Sequence, residues 1–515
     1  MAPVGLAERA NVEVSLVAAP CGPRRPRSWT WLLPAAALLP FANGAIPISI
    51  AAWLGPVFLL RFVRTQRAWV GLPVAYTLLA ALSVFHFLGL MPEPGALVYF
   101  FTALFALVAF LPYVADRLLT PRLHGWIGTL VFPATWVTME YLVSLSPGAT
   151  WGLAPYSQYG NLALLQVLSV TGMWGITFLI GWCAPVVNLV WEEGFGSKSA
   201  RAAALAFVGT VGAVLLAGEA RMALFPPSGE TVRVASLSGE LLGTKLSKSP
   251  WQHLLRNELD SKDIVEIRRW ADVINNGLFE QSKRESRAGA KIVLWGEENG
   301  RVLPDDEPAF LERGRQLAKK HDVYLAMAYV VWHPGRPKPR DNKTVLIEPS
   351  GEVGWDYLKS HPIPGGEDRT LAGDGKLPLV DTRYGRLSTA ICFDADFPRL
   401  IAQAGSRRAD ILLDPSGDWK QIDPLHTRMA SFRAIEQGVN LVRHTTDGLS
   451  AAFDYQGHVL ASMDHFQATD HTMIAQVPIR GARTIYSRIG DGFAWLLMAA
   501  LVLLTGSACR RRSPL

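Results

Sequence analysis

Long apolar runs crowd the first 225 residues, and then give way to short apolar runs that alternate with polar, helix-periodic stretches. Runs near 68–90, 95–115, 124–145, 172–191, 202–219 and 492–508 have about the 20-residue length that a helix needs to cross a hydrocarbon core. The stretch 29–63 is too long for one crossing, and Asn43-Gly44-Ala45-Ile46-Pro47 interrupts it with a turn signal, so it predicts two short spans, 29–44 and 46–61. Between 226 and 490 the pattern predicts strands at 232–237, 292–295, 324–331, 343–347, 387–391, 411–413, 440–443 and 450–453. Helical periods at 261–287, 310–320 and 424–437 lie among them, the mark of a layered α/β domain.

Charge orients this arrangement. Cytoplasmic loops near span ends are enriched in Lys and Arg, and Arg24, Arg25 and Arg27, Arg61, Arg64 and Arg67, Arg117 and Arg122, Lys198 and Arg201, and Arg510, Arg511 and Arg512 all fall on one side when 29–63 counts as two spans. The loops at 91–94 and 146–160, on the other side, hold no Lys or Arg. One span at 29–63 would invert every later loop. The expected organisation is therefore a cytoplasmic tail at 1–28, seven spans within 29–225, a domain at 226–490 on the outer face, an eighth span at 491–509 and a tail at 510–515. The first 28 residues lack an apolar core before a small-residue cleavage site, which reads as a tail and not as a signal peptide.

Half of the 515 residues are hydrophobic and only 18% are charged, which fits a membrane chain carrying a soluble domain. The net charge of +6 resides in clusters beside apolar runs and not in a basic patch interleaved with aromatics, so nucleic-acid binding is not favoured. Cys21, Cys183, Cys392 and Cys509 show no Cys-x-x-Cys or Cys/His spacing, so neither a zinc site nor a disulfide framework is indicated.

Cys392 is the only cysteine between 226 and 490, so it cannot form a disulfide within that domain. It follows the apolar run Leu387-Ser388-Thr389-Ala390-Ile391, at a strand end where exposed backbone N–H groups can stabilise an oxyanion. Most lone cysteines are inert packing. Two further segments change the weighing: Ile292-Val293-Leu294-Trp295-Gly296-Glu297-Glu298 ends an apolar strand in carboxylates suited to general-base work, and Lys359 ends the strand that follows the turn at Ser350-Gly351.

Glu, then Lys, then Cys, each at a strand end of one α/β domain, is the order seen in the nitrilase (carbon-nitrogen hydrolase) superfamily. Eight predicted spans around such a domain resemble the bacterial apolipoprotein N-acyltransferases more closely still. The blocks that carry the resemblance are Trp151-Gly152-Leu153-Ala154-Pro155-Tyr156-Ser157-Gln158, Gly172-Met173-Trp174-Gly175-Ile176-Thr177-Phe178, Asp414-Pro415-Ser416-Gly417-Asp418-Trp419, Ser431-Phe432-Arg433-Ala434-Ile435-Glu436 and Tyr486-Ser487-Arg488-Ile489-Gly490-Asp491. It runs from the second span to the last.

The resemblance implies an α-β-β-α sandwich beside the membrane helices, with Glu297 as general base, Lys359 as the cation that stabilises the oxyanion and Cys392 as the acyl-accepting nucleophile. Glu367 matches a second family glutamate, and Phe393 and Asp394 stand in supporting positions. It implies a phospholipid acyl donor, a diacylglyceryl-modified apolipoprotein acceptor, an inner-membrane location, and neither metal nor organic cofactor. The chain departs from the family pattern at Gly296 (usually Pro), Gly365 (usually aromatic), Phe393 (usually Tyr) and Asp394 (usually Glu). Because Cys-Phe-Asp is closer to soluble amidohydrolases, the alternative expectation is a membrane-tethered amidase for a soluble C–N substrate. His361, His426 and His444 lack metal-ligand spacing.

Overall fold

The apolar runs form helices packed side by side: Leu32–Leu38, Ser49–Thr65, Ala68–Phe87, Ala96–Leu119, Val131–Ser144, Trp174–Glu193, Lys198–Leu224 and Gly492–Arg510. This computed structural model describes residues 28–510 except 45, 88–89, 91–95, 228, 240–249, 251 and 255–257, so the expected tails fall almost wholly outside the described residues. Among the described residues five helices are long and apolar enough to cross a membrane, namely Ala68–Phe87, Thr102–Arg122, Trp174–Glu193, Lys198–Leu224 and Gly492–Arg510. The other three expected spans, 29–44, 46–61 and 124–145, give shorter helices, for local reasons. The run at 29–63 breaks where Gly44 takes a positive φ of 87°, leaving an apolar helical stretch at Ser28–Phe41 and 17 residues at Ser49–Thr65. The run at 124–145 opens with a tight turn at Gly125–Leu130, so its α-helix starts only at Val131.

Thirteen strands among the described residues build the second part: β1 (Thr231–Leu237), β2 (Ile292–Trp295), β3 (Gly300–Val302), β4 (Tyr324–Trp332), β5 (Arg340–Ile347), β6 (Val353–Leu358), β7 (Leu379–Thr382), β8 (Gly385–Thr389), β9 (Ile411–Gly417), β10 (Asn440–Thr446), β11 (Leu449–Phe453), β12 (Val459–Asp464) and β13 (Thr472–Pro478). One sheet runs β13-β1-β2-β4-β5-β6 with β3 beside β4, and the other runs β12-β11-β10-β9-β8-β7. The pattern anticipated most of these but not β3, β7, β12 or β13, whose residues are short in number or lie half-exposed at a sheet edge.

Alternation along β1 and β2 fixes the layers. Val232, Val234, Ile292 and Leu294 point into a core shared with Leu387, Ile411, Leu441 and Phe453 of the other sheet. Their neighbours Ala235, Leu237, Val293 and Trp295 point the opposite way, onto Ile274, Leu278 and Phe279 of the helix Ser261–Arg287 and onto Phe310 and Leu317 of the helix Glu307–His321. Two sheets thus pack face to face, with helices outside, and near-continuous apolar strands follow because both faces are covered.

The helix Leu425–Gln437 joins the two parts. Leu425, Met429, Phe432 and Ile435 share one apolar cluster with Val137, Tyr141, Tyr156, Trp174 and Ile180 of the helical part. Phe432 is fully buried, its ring 4.8 Å from that of Tyr156. Gly172 lies at φ +62°, and a Cβ there would sit 2.4 Å from the Tyr486 ring, so only glycine allows that approach. Glu140 pins the 146–160 loop from within the helices, accepting from the Ala154 N–H at 2.9 Å and from Trp136 Nε1 at 3.0 Å.

Because Phe432 fills the joint, Phe432→Ala should lower the stability of the detergent-solubilised full chain by ~3–5 kcal/mol, the usual range for emptying a buried phenyl site. Thermal unfolding monitored by circular dichroism measures it, and an unshifted midpoint would show that the joint carries no stability.

Candidate active site

Four chain segments from the two sheets meet at one buried point. β2 ends at Trp295, and Glu297 follows two residues on, with 8% exposure. Its Oε1 accepts from Asn342 Nδ2 of β5 at 2.7 Å and from Lys359 Nζ at 2.8 Å. Glu298 turns away through a positive φ of 51° and pairs with Arg340. The turn after β2 thus sends the two adjacent carboxylates to different surroundings.

Lys359 follows β6 and is 1% exposed. Its ammonium also contacts Glu367 Oε2 at 2.7 Å, and that carboxylate accepts the Ile363 N–H at 2.7 Å. Burial works against the charge on Lys359, but Glu297, Glu367 and the neighbouring thiol outweigh it and hold its pKa well above the ordinary lysine value. Burial raises the pKa of Glu297, opposed by Lys359 and reinforced by Glu367. Glu367 goes the other way: burial would raise it, but Lys359 and the Ile363 N–H bring it down.

Cys392 stands three residues beyond the end of β8, where a tight helical turn, Cys392–Asp396, begins. Its φ of +51° is a left-handed conformation that costs a non-glycine residue ~1–3 kcal/mol. The cost is met by tethers: the Cys392 N–H donates to Asp414 Oδ1 at 2.9 Å, and Asp414 is itself held by Arg443 at 2.5 Å. No hydrogen bond leaves the Phe393 N–H among the described residues. The thiol is fully buried, and its Sγ lies 3.6 Å from the Gly417 carbonyl oxygen. Burial and then Glu297 push its pKa well above the ordinary thiol value, while Lys359 and Arg443 pull it back. At rest the sulfur keeps its proton and faces a carboxylate of raised basicity.

Asp394, fully buried, bolts the Cys392 turn to the segment after Lys359. Its Oδ2 accepts from Tyr357 Oη at 2.8 Å, and its Oδ1 accepts from the His361 N–H at 2.8 Å. Phe393 lies 5.2 Å from the Phe397 ring.

Beneath the thiol runs a charged network that sequence reasoning missed. His426 places Nδ1 2.7 Å from Asp418 and Nε2 3.0 Å from Asp396. Burial and Arg443 lower its proton affinity, yet Asp396 and Asp418 carry its pKa up to about 9. Cys392, Asp418 and His426 bring ligand atoms within 4.8 Å of one another. Arg443 Nη2, 2.8 Å from His426 Nδ1, puts a fixed positive charge where a metal ion would sit, so the donors present suit a salt-bridge network better than a cation. The signal that could have found it was Asp414-Pro415-Ser416-Gly417-Asp418, one carboxylate within β9 and a second just past its end.

The network also reaches the helical part. Thr150 Oγ1 donates to the Asp396 carbonyl at 2.9 Å, and the Trp151 ring lies 5.1 Å from His426.

A histidine whose folded pKa is about 9, above the ordinary 6.5, contributes stability that is fully present below the ordinary value and is lost as pH rises through about 9. Thermal midpoints of the solubilised chain should therefore fall across that window, and Asp396→Asn should flatten the fall by removing one of the two raising charges. A midpoint indifferent to pH in the unsubstituted protein would mean that His426 is neutral.

Both parts of the chain are similar to known proteins. The family model of the carbon-nitrogen hydrolases matches residues 290–486, and that of the apolipoprotein N-acyltransferase N-terminal domain matches residues 35–186. The apolipoprotein N-acyltransferase of Geobacter metallireducens is 26% identical over 490 residues, covering 88% of this chain and 88% of that protein. That of Azotobacter vinelandii is 27% identical over 410 residues, covering 74% and 73%. An amidase from Nesterenkonia sp. aligns over 52% of this chain and 97% of its own at 19% identity, with a TM-score of 0.37. Carrying both matched regions in one chain, with full-length similarity to such enzymes, this protein belongs to the apolipoprotein N-acyltransferase family of the nitrilase superfamily.

Proposed function

We propose that the protein moves an acyl chain from a membrane phospholipid, through a thioester on Cys392, to the N-terminal amine of a diacylglyceryl-cysteine on an apolipoprotein. One observation carries this reading: the turn bearing the buried thiol is roofed by the 146–160 loop of an apolar helical part, through Thr150 and Trp151. A nucleophile built against membrane helices suits substrates confined to the bilayer, whose shared anchoring supplies proximity. A soluble amide would need no such roof, which disfavours the amidase alternative.

The chemistry follows the geometry. Glu297 takes the thiol proton, and the sulfur attacks the ester carbonyl carbon. Negative charge collects on the carbonyl oxygen, between the Lys359 ammonium and the free Phe393 N–H. Collapse breaks the ester C–O bond, and Glu297 returns the proton to the departing lysophospholipid oxygen. In the second half the substrate amine attacks the thioester carbonyl, Glu297 removes the amine proton, and collapse to the amide releases the thiolate to be reprotonated. Glu367 keeps Lys359 charged and placed throughout. Full burial of Cys392 keeps water from hydrolysing the thioester between the halves.

The topology that fits this role has eight spans in the bacterial cytoplasmic membrane, seven before the 226–490 domain and one after, with that domain on the outer face. The arginine distribution supports it. An outside-active reporter fused near Gly300 should be active and one fused after Arg512 silent; the reverse pair would place Cys392 in the cytoplasm.

Given phospholipid alone, the protein should accumulate one acyl group on Cys392, labile to neutral hydroxylamine and absent in Cys392→Ala. Glu297→Gln should slow its formation by about two orders of magnitude or more, the scale of a lost general base, whereas Glu298→Gln, turned toward Arg340, should change it little. Because Glu297 acts only when deprotonated and burial raises its pKa, the rate should rise with pH through a limb above the ordinary glutamate range. Intact-protein mass spectrometry reads all three, and acyl transfer that survives Cys392→Ala would refute the mechanism.

A further inference from the structure

On the side of the α/β domain that meets the helices lies a cleft of about 160 Å³ lined by Ser144, Trp174, His361, Phe397, Arg399 and Asp491, among others. Ser144 ends the helix Val131–Ser144, Trp174 begins Trp174–Glu193, and Asp491 immediately precedes Gly492–Arg510. Three apolar helices thus terminate at one cleft, which places it at headgroup depth. The aromatic side chains around it match that depth, with apolar rings and polar tips engaged: Trp495 Nε1 donates to Tyr141 Oη at 2.8 Å, and Trp174 Nε1 donates to Asp491 Oδ1 at 2.8 Å.

Arg399 is the cation of this cleft. It is exposed, and its Nη2 donates to the neutral hydroxyl of Tyr141 at 2.9 Å. Among the described residues it makes no ion pair. Asp491, the carboxylate of the same cleft, forms no ion pair with it among the described residues and turns its Oδ1 to Trp174 Nε1 and to Tyr486 Oη, the latter at 2.9 Å. Most other arginines of the α/β domain that bear on the site, Arg340, Arg433 and Arg443 among them, are tied to carboxylates. A guanidinium fixed by one neutral oxygen keeps its remaining fork of donors for a planar or tetrahedral anion.

The cleft is wired to the nucleophile. His361 stacks on Phe397 at 3.6 Å between ring centres, and its backbone N–H and Nδ1 both face Asp394 Oδ1, at 2.8 and 3.1 Å. His361 lies two residues after Lys359, and Asp394 two after Cys392. An anion in the cleft therefore sits one layer of side chains from the reacting atoms.

We propose that this cleft binds the phosphodiester of the acyl-donor phospholipid, with Arg399 as its principal ligand. The proposal rests on the acyl transfer inferred above. Of the two substrates in that reaction only the donor carries a phosphate; the diacylglyceryl-cysteine acceptor has none. A phosphate-reading cleft at the bilayer edge therefore sorts donor from acceptor, two lipids whose acyl chains alone look alike.

The test compares two acyl donors on the full-length protein in nanodiscs: phosphatidylethanolamine, and a p-nitrophenyl ester of the same fatty acid, which has the carbonyl but no phosphate. Arg399→Gln is expected to raise the half-saturating concentration of the phospholipid about tenfold, the scale of one charge-assisted hydrogen bond. Loading of Cys392 from the phosphate-free ester, and discharge of the loaded enzyme to a diacylated peptide, should stay unchanged. Arg399→Lys should recover part of the loss. Equal loss with both donors, or no loss with the phospholipid, overturns the assignment. Competition by inorganic phosphate against both donors alike overturns it as well, because that marks a site for free anions. Loading of the unsubstituted protein by neither donor would instead refute the acyl-transfer reading, a result distinguishable from failure of the cleft alone.

Discussion

Lys359 holds its charge with almost no solvent because two carboxylates stand within 2.8 Å of it. Neither sheet could tolerate the arrangement in pieces. An ammonium stripped of water and left with one partner gone is destabilising by several kcal/mol, about 3–5 for a broken buried pair. The end of β2, the end of β6 and the segment around Glu367 must therefore converge together or not at all. The two carboxylates also come to differ: Glu367 is drawn toward ionisation by Lys359 and the Ile363 N–H, while burial raises Glu297. Pushing two titratable neighbours apart is how a site separates a permanent anion from a base that exchanges protons.

The thiol is governed by a second constraint, which meets the first at Gly417. The Gly417 carbonyl lies against Cys392 Sγ, and a Cβ on that glycine would stand 3.4 Å from Glu297 Oε2. The strained turn at Cys392 is anchored below by Asp414 and Arg443, and at its far end by Asp394 and by Thr150 from the helical part. Its geometry is thus shared between the α/β core and the membrane helices. The helix Leu425–Gln437 carries both connections, presenting apolar residues to the helical part and His426 to the network under the thiol.

The most readable parts of the chain were those whose signal is local. The strands β1, β2 and β4 and the helix Ser261–Arg287, which Asp260 caps, are each a single clean period. Glu297, Lys359 and Cys392 were legible because each stands just beyond a strand end and their order resembles that of the nitrilase superfamily, whereas each alone reads as an ordinary loop charge or packing thiol. The strands β7 and β12 were not, since at the sheet edge their burial is partial and their alternation weak. Nor was the network of Asp396, Asp414, Asp418, His426 and Arg443, which no spacing rule links because its members come from four elements, the turn Cys392–Asp396, β9 with the residue after it, the helix Leu425–Gln437 and β10.

The positions where the chain departs from the family pattern obey the same logic. At Gly296 a Cβ would meet Asn299 Nδ2 at 2.7 Å and His444 Cδ2 at 3.0 Å. His444 occupies that space as a neutral ring, its pKa pushed down to about 3 by burial and by His471 and His465, so it adds bulk beside Glu297 without adding charge. Asp394, one methylene shorter than the usual glutamate, still accepts from Tyr357, from the N–H groups of Ser360, His361 and Ile391, and from the His361 ring. Its reach back to the Ile391 N–H, 3.2 Å away and three residues before it, is the bond that closes a capping box over the first turn after the strand. With these residues in place Lys359 Nζ still stands 2.8 Å from Glu297 Oε1, so the departures bear on how the backbone around the thiol is held and do not separate base from cation.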